Sequence, residues 1–180
     1  MTVKSVPADI FDSSDLENPG WYNWRVAAPG EVVPKDEYKG GEPTERTYSA
    51  LSTFLIAQEV AIFDEDGMLT GSEKPVGVSM NCNFKLTKPD ENPEPEKPKY
   101  DKKGLAKLKS LYIVNTGKSP RTVIEEVTGE KKYDFPAIGQ EIADFTGWCA
   151  VVHGTDQVTG KKFQYLQGNF RKNAPEKVKV

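Results

Sequence analysis

Alternation of apolar and polar side chains is the main pattern along this chain. It is clearest over residues 76–86, where Val, Met, Cys, Phe and Leu at even positions are separated by Gly, Ser, Asn and Lys. A period of two is typical of a strand with one buried face. The same pattern predicts strands over residues 21–26, 48–63, 142–152 and 163–170.

A helix is predicted between the third and the fourth of these strands. Leu105, Leu108 and Leu111 have helical spacing, and Gly117 stands where a helix C-cap is expected. Residues 120–127 fit a short helical turn or a strand equally well. The expected fold is mainly β with one or two short helices, in the order of a five-stranded OB-type β-barrel with long loops. A generic α+β sandwich is the alternative architecture.

Turn-forming residues divide the chain into one domain and two flanking segments. We expect an N-terminal arm over residues 1–20, an OB-fold domain over residues 21–172 and a C-terminal tail over residues 173–180. Within the domain, residues 29–47 are predicted to form a long polar connection. Residues 89–99 contain four prolines and are predicted to be a mobile acidic loop.

Charge is distributed unevenly along the chain. The net charge is −3, but residues 1–100 carry 10 Lys and Arg against 18 Asp and Glu, whereas residues 101–180 carry 14 against 9. A basic second half permits a local positive groove, although mixing of the two halves in space would remove the asymmetry. No apolar run approaches the roughly 20 residues of a membrane helix, and the N-terminus lacks an apolar core of signal-peptide length. We therefore expect a cytoplasmic protein without membrane contacts.

Sequence signals for catalysis are weak. The single histidine, His153, lies beside a glycine without a nucleophile or a metal partner nearby in sequence. Gly117-Lys118-Ser119 lacks the upstream glycine of a phosphate-binding loop. Cys82 and Cys149 lie in apolar runs and are predicted to be buried thiols. We expect no enzymatic activity, no metal and no cofactor, and a nuclease whose carboxylates converge on a metal only in space is a distant alternative.

The segment from Lys161 to Lys172 interleaves aromatic rings with cations at strand spacing. Phe163 and Tyr165 share one face of the predicted strand, whereas Leu166 and Phe170 share the other. Rings flanked by Lys and Arg are typical of surfaces that hold unpaired nucleic acid, because every base has a π-face and every nucleotide a phosphate. An edge strand with solubilising lysines is the simpler interpretation.

Other segments add to this pattern. They are Pro19 to Tyr22, Met80 to Phe84, the helix Leu105 to Val114 before Thr116-Gly117, Tyr133-Asp134-Phe135 before Gly139-Gln140-Glu141, and Gly160-Lys161-Lys162 before the aromatic strand. Over roughly residues 19–172 the chain resembles phage OB-fold single-stranded-DNA-binding proteins. The resemblance implies a protein that coats unpaired DNA in phage-type replication or recombination, in the host cytoplasm, and it is compatible with a homo-oligomer. Many such proteins recruit replication partners through an acidic tail, and the ending Pro175 to Val180 is not of that kind.

The leading hypothesis assigns two roles to candidate residues. Base stacking is assigned to Trp21, Trp148, Phe163 and Tyr165, and phosphate neutralisation to Arg25, Lys85, Lys161, Lys162, Arg171 and Lys172. The competing hypothesis is a structural or interaction module, such as a phage accessory protein, that uses the aromatic strand as a subunit interface.

Overall fold

The computed structural model describes residues 19–90, 99–124, 126 and 128–179 of this chain. Its elements in chain order are β1 (Gly20–Val26), β2 (Glu31–Lys39), β3 (Glu42–Phe63), β4 (Leu69–Glu73), β5 (Ser79–Lys85), α1 (Lys102–Thr116), β6 (Thr122–Ile124), β7 (Lys131–Tyr133), α2 (Phe135–Glu141), β8 (Thr146–Thr155) and β9 (Lys162–Arg171). The predicted mainly-β class is confirmed.

One large antiparallel sheet contains most of the strands. Its order is β2-β3-β1-β8-β9, with β4 and β5 also paired to β3, while β6 and β7 form a separate two-stranded sheet. The 22-residue β3 has four partners because different stretches of it pair with different strands: residues 42–52 with β2, 50–56 with β5, 55–60 with β1 and 60–63 with β4. The large sheet is strongly curled into a half-barrel.

The core lies inside this curl, and burial follows the predicted alternation along β1 and β5 but not along β3, where Phe54 is 37% exposed. The most deeply buried strand residues include Trp24, Leu51, Leu55, Phe84 and Val151. Both thiols are buried and free, as predicted for Cys82 and Cys149. The alternation assigned to residues 76–86 is wrong at its start, because β5 begins at Ser79 and Val76 is 96% exposed.

Helix α1 covers the seam between β5 and β9, the two strands that would have to pair to close the sheet. The Lys107 ammonium donates a hydrogen bond to the carbonyl of Leu166, and the Phe170 amide donates to Ser110 Oγ at 2.8 Å. These bonds satisfy backbone groups at the unpaired edge of β9, which would otherwise be open to another strand. At the other side of the seam, Gly104 allows the helix to approach the backbone of Lys85.

The ends of α1 are fixed by the residues that sequence rules favour. Asp101 caps the N-terminus, where its carboxylate accepts a hydrogen bond from the Gly104 amide at 2.8 Å. Gly117 caps the C-terminus with φ +71°, which confirms the predicted C-cap.

Several predicted boundaries are wrong. Residues 29–47 are not a connection but hold β2 and the start of β3, and Pro34 is accommodated because β2 is an edge strand. The strand predicted from residue 142 begins at Thr146, because Ile142 closes α2 instead. Residues 122–124 of the ambiguous 120–127 segment form a strand. The alternation did not reveal β4 or α2.

The flanking segments differ in what the structure describes. Residues 1–18 of the predicted arm and residues 91–98 of the predicted acidic loop lie outside the described residues. The C-terminal segment packs beside β4, where the Leu69 amide donates to the Glu176 carbonyl and the Val178 amide donates to the Gly67 carbonyl, both at 2.8 Å. Within the described part of the chain, no helix has the length and apolar character needed to span a membrane.

Candidate functional site

Strand β8 shows which side chains point away from the core. Cys149 and Val151 are buried in the core, so the alternate residues of β8 point to the opposite face, which we call the outer face. Directly opposed residues in an antiparallel pair share a face. The outer-face pairs across β8 are Trp21 with Ala150, Asn23 with Trp148, Arg171 with Trp148, Gln167 with Ala150, Tyr165 with Val152 and Phe163 with Gly154. The register thus collects the predicted aromatic residues on one side of the sheet.

Phe163 and Tyr165 form an exposed aromatic pair on β9. Each is 42% exposed, and their ring centroids lie 5.8 Å apart with an angle of 34° between the planes. Leu166 and Phe170 are buried, which confirms the predicted assignment of faces along this strand. Rings that are more than one-third exposed keep area for a planar ligand.

Gly154 determines where the Phe163 ring lies. A Cβ at residue 154 would be 2.5 Å from Cζ of Phe163, much closer than a normal contact. The ring therefore rests directly over the backbone of β8, in the space that any other residue at position 154 would fill. This role of Gly154 was not predicted, since it depends on the pairing of Gly154 with Phe163.

Trp21 and Arg171 form a second group on the outer face. The Arg171 guanidinium lies 5.6 Å from the centroid of the Trp21 ring, which is a cation–π distance. Between Ala150 and Trp148 on β8 the partner strand advances from Gln167 to Arg171, so β9 is bulged there. The bulge positions the cation beside the ring, although the two residues lie on strands that do not pair with each other.

Two of the predicted site residues are less available than the sequence indicated. Trp148 is only 9% exposed, so its ring offers little area for stacking. Arg25 is paired with Asp144, its Nη1 lying 3.2 Å from Oδ1 of that carboxylate. An ion pair of this exposed kind contributes little to stability, and a phosphate can compete for the guanidinium.

Lys85 belongs to a different part of the outer face. Its ammonium lies 4.7 Å from the ring centroid of Tyr48. Lys85 is directly opposite Ala50 of β3, and Tyr48, two residues earlier on the same strand, lies on the same face as Ala50. Burial and the nearby Glu37 carboxylate raise the pKa of the Tyr48 hydroxyl. Tyr48 was not among the predicted site residues, because it has the same parity as Phe54 and Ile56, the apolar residues of the predicted strand 48–63.

The turn between β8 and β9 holds lysines next to the aromatic pair. Asp156 accepts hydrogen bonds from the amides of Val158 and Thr159 at 2.8 and 2.9 Å, and these bonds lower the pKa of its carboxyl. Lys161 and Lys162 follow this turn and immediately precede Phe163. Lys172 directly follows β9, and all three lysines are exposed.

The outer face is not uniformly cationic. The Glu59 carboxylate accepts hydrogen bonds from the Asn23 amide at 3.1 Å and from the Ser72 hydroxyl at 3.0 Å. Since Asn23 and Glu59 are directly opposed, this carboxylate lies on the outer face beside β1. A polyanion would be repelled there and favoured toward β9, which ends at Arg171 and begins next to the lysines of the β8–β9 turn.

The described residues hold neither a metal-binding cluster nor an activated thiol. No group of three or more His, Cys, Asp or Glu side chains able to hold a metal ion occurs among them. Burial raises the pKa of the Cys82 thiol to about 12 and that of Cys149 to about 11, so both are poor nucleophiles at neutral pH. No protein-family model, curated protein or solved structure matches the chain.

Proposed function

We propose that this chain is a single-stranded-DNA-binding protein that holds unpaired strands on the outer face with little sequence preference. The observation that carries the proposal is the exposed Phe163–Tyr165 pair on the same face as the Trp21–Arg171 pair. Rings supply stacking, which tolerates any base, and adjacent cations neutralise the phosphates that accompany each base. Coating of unpaired strands during phage-type DNA replication or recombination is the biological role we infer.

The proposed fold is an OB-type barrel with additions. In this assignment the five barrel strands are β1, β3, β5, β8 and β9, with α1 between the third and the fourth. The pairing of β1 with both β3 and β8, and of β3 with β5, supports this order. The barrel is partly open between β5 and β9, as is usual for the fold.

The connections also support a binding role for this face. In OB folds, the loop between the first two strands and the loop between the last two contact oligonucleotides. Here these are the β2–β3 hairpin and the β8–β9 turn, and their tips touch, since a Cβ at Gly40 would be 3.3 Å from the methyl groups of Val158. Both connections therefore reach the same region of the protein.

Single strands should bind more tightly than duplex, because stacked rings need unpaired bases. The direct test is fluorescence anisotropy with labelled oligo-dT and with a duplex of equal length, each at two salt concentrations. We expect a marked preference for oligo-dT and a steep loss of affinity as the salt concentration rises. The salt dependence is expected because lysine and arginine side chains that bind phosphates release the counterions condensed on the DNA. Equal affinity for duplex and single strand, or no binding at low salt, would reject the proposal. A parallel titration with oligo-U measures the preference for DNA over RNA.

The variant Phe163→Leu with Tyr165→Leu tests the aromatic pair with its apolar bulk largely kept. It should weaken oligo-dT binding by about 1–3 kcal/mol for each base that loses a stacking partner. Tyr100→Leu is the matched control, because Tyr100 is 40% exposed but does not lie on β9. If the double variant changes the association state in sedimentation and leaves DNA affinity unchanged, the aromatic strand is a subunit interface and the interaction-module hypothesis is correct.

A further inference from the structure

A groove runs along α1 on the helical side of the molecule. It has a volume of about 260 Å³, and the α1 residues of its wall lie between Lys102 and Lys109. The remaining lining residues are Pro120, Tyr133, Phe135 and Ile138. Small-molecule sites usually have about 300–1,000 Å³ and several convergent polar groups. This groove is smaller and, apart from two lysines and one tyrosine, is lined by apolar residues, so apolar side chains of a partner protein fit it better than a metabolite.

The groove side of α1 has a regular pattern of charged and apolar residues. Lys102, Leu105, Ala106 and Lys109 all line the groove, at helix positions i, i+3, i+4 and i+7. Residues with this spacing lie on one face of a helix, so α1 presents two apolar residues between two lysines that are about 10.5 Å apart along its axis. Ala106 is exposed, and its small side chain allows another helix to approach α1 closely.

The charge along the groove is positive. No Asp or Glu lines it among the described residues, and α1 contains four lysines and no acidic residue. The two carboxylates that adjoin lining residues in sequence are engaged as helix caps. Asp101 accepts a hydrogen bond from the Gly104 amide at 2.8 Å, and Asp134 accepts one from the Ala137 amide at 3.2 Å. The groove is therefore complementary to a partner with carboxylates on both sides of an apolar anchor.

We propose that this groove binds an amphipathic helix of a partner protein, with acidic residues at positions i and i+7 and large apolar residues at i+3 and i+4. Such a helix lies along α1 with its apolar residues in the groove and its carboxylates at Lys102 and Lys109. Anchors with this spacing are typical of helix-in-groove recognition. Because a lysine stands at each end, the charges match in parallel and in antiparallel docking. The described residues of a second copy of this chain do not supply such a helix, since α1 has no acidic residue and α2 has only seven residues.

Fluorescence anisotropy with the full-length protein and a labelled synthetic helix tests the proposal. The probe is an alanine-based peptide with Glu at i and i+7 and Leu at i+3 and i+4, stapled on its opposite face so that its helix is formed before binding. We expect saturable binding that Lys102→Glu with Lys109→Glu weakens at least about 10-fold, because like charges then meet. A second peptide, with Lys in place of both Glu, should bind this variant at least about 10-fold more tightly than it binds the wild type. A variant that merely unfolds cannot gain affinity in this way.

Two further variants control for charge and for the groove itself. Lys103→Glu with Lys118→Glu changes the net charge by the same amount at exposed lysines that do not line the groove. It should alter the affinity for the Glu peptide by less than about 2-fold at physiological salt, because charges outside the contact are screened. Ala106→Phe fills the groove from an exposed position and should abolish saturable binding. Absence of binding to the wild type, equal losses in the two charge variants, or full affinity in Ala106→Phe would overturn the proposal.

Nucleic acid is the competing ligand for the two groove lysines. If they hold phosphates instead, Lys102→Glu with Lys109→Glu should weaken oligo-dT binding far more than the control variant does, and oligo-dT should displace the Glu peptide. Either result would overturn the proposal, whereas simultaneous binding of peptide and oligo-dT supports it. The peptide titration itself needs no DNA, so its outcome is independent of whether the outer face binds single strands.

Discussion

Replacing Gly154 with alanine keeps the Phe163 ring but moves it, so the variant tests whether the position of the ring matters for binding. A Cβ at residue 154 would lie 2.5 Å from Cζ and 2.8 Å from Cε2 of the ring, so the ring must leave its place over β8. Because the clash falls at the free end of a side chain, the ring can rotate away while the backbone of both strands stays. The variant should therefore fold normally but present the ring differently.

The expected effect on affinity follows from the loss of one stacking partner. One base–ring stack contributes about 1–3 kcal/mol, so the Kd for oligo-dT should rise roughly 5-fold to 150-fold. The free energy of unfolding should change less. Replacing glycine with alanine in extended backbone stabilises a protein by about 0.4–1 kcal/mol, because it lowers the entropy of the unfolded chain, and this gain partly offsets the lost ring packing. Urea denaturation and anisotropy titration measure the two quantities separately.

A double-mutant cycle with Phe163→Ala makes the test specific. If Gly154→Ala acts only by moving the ring, it should have almost no further effect on affinity once the ring is absent. Gly71→Ala is the matched control, since no atom lies within 4 Å of a Cβ at that position. An equal loss of affinity in the presence and absence of the Phe163 ring would refute the reasoning, as would unchanged affinity in the single variant.

Three further outcomes test the fold around the site. Leu166→Ala should lower the free energy of unfolding by about 2–5 kcal/mol in urea titrations, because Leu166 is 6% exposed in the core. A loss below about 1 kcal/mol would contradict the assignment of Leu166 to the core. Gly104→Ala should destabilise strongly or shift α1, since its Cβ would overlap the backbone carbonyl of Lys85, and unchanged thermal unfolding would contradict this packing. Hydrogen bonds from Tyr112 and then Arg121 hold the pKa of Glu141 below its ordinary value of 4.5. The stability that the wild type has over Glu141→Gln should therefore be complete above pH 4.5 and disappear as the pH falls through the lowered pKa. A stability difference that does not change with pH would show that the folded state does not stabilise the Glu141 carboxylate.

The sequence by itself determined which residues face the core along β1, β5 and β9 and where α1 ends. Alternation assigned Cys82 and Phe84 to the buried face, and it separated the buried Leu166 from the exposed Phe163 and Tyr165. These assignments depend only on the geometry of an extended chain, in which neighbouring side chains point to opposite sides. They supplied the aromatic part of the candidate site.

The tertiary structure decided what lies beside and above each outer-face residue. Alternation shows on which face of the sheet a residue lies, but not which other side chains surround it there. It therefore did not show that Trp148 is almost buried or that Arg25 pairs with Asp144. The place of the Phe163 ring over Gly154 depends on the register of β8 with β9.

Long-range pairing is the physical reason for this division. Arg171 reaches Trp21 because both β1 and β9 pair with β8, and the two residues are 150 positions apart in the chain. Local preferences also misjudged residues 29–47, whose prolines and glycines indicate a loop, because pairing with β3 satisfies the backbone of β2 at an edge that tolerates Pro34. Side-chain alternation is local, whereas register, bulges and edges are set by contacts between distant segments, which only the folded sheet brings together.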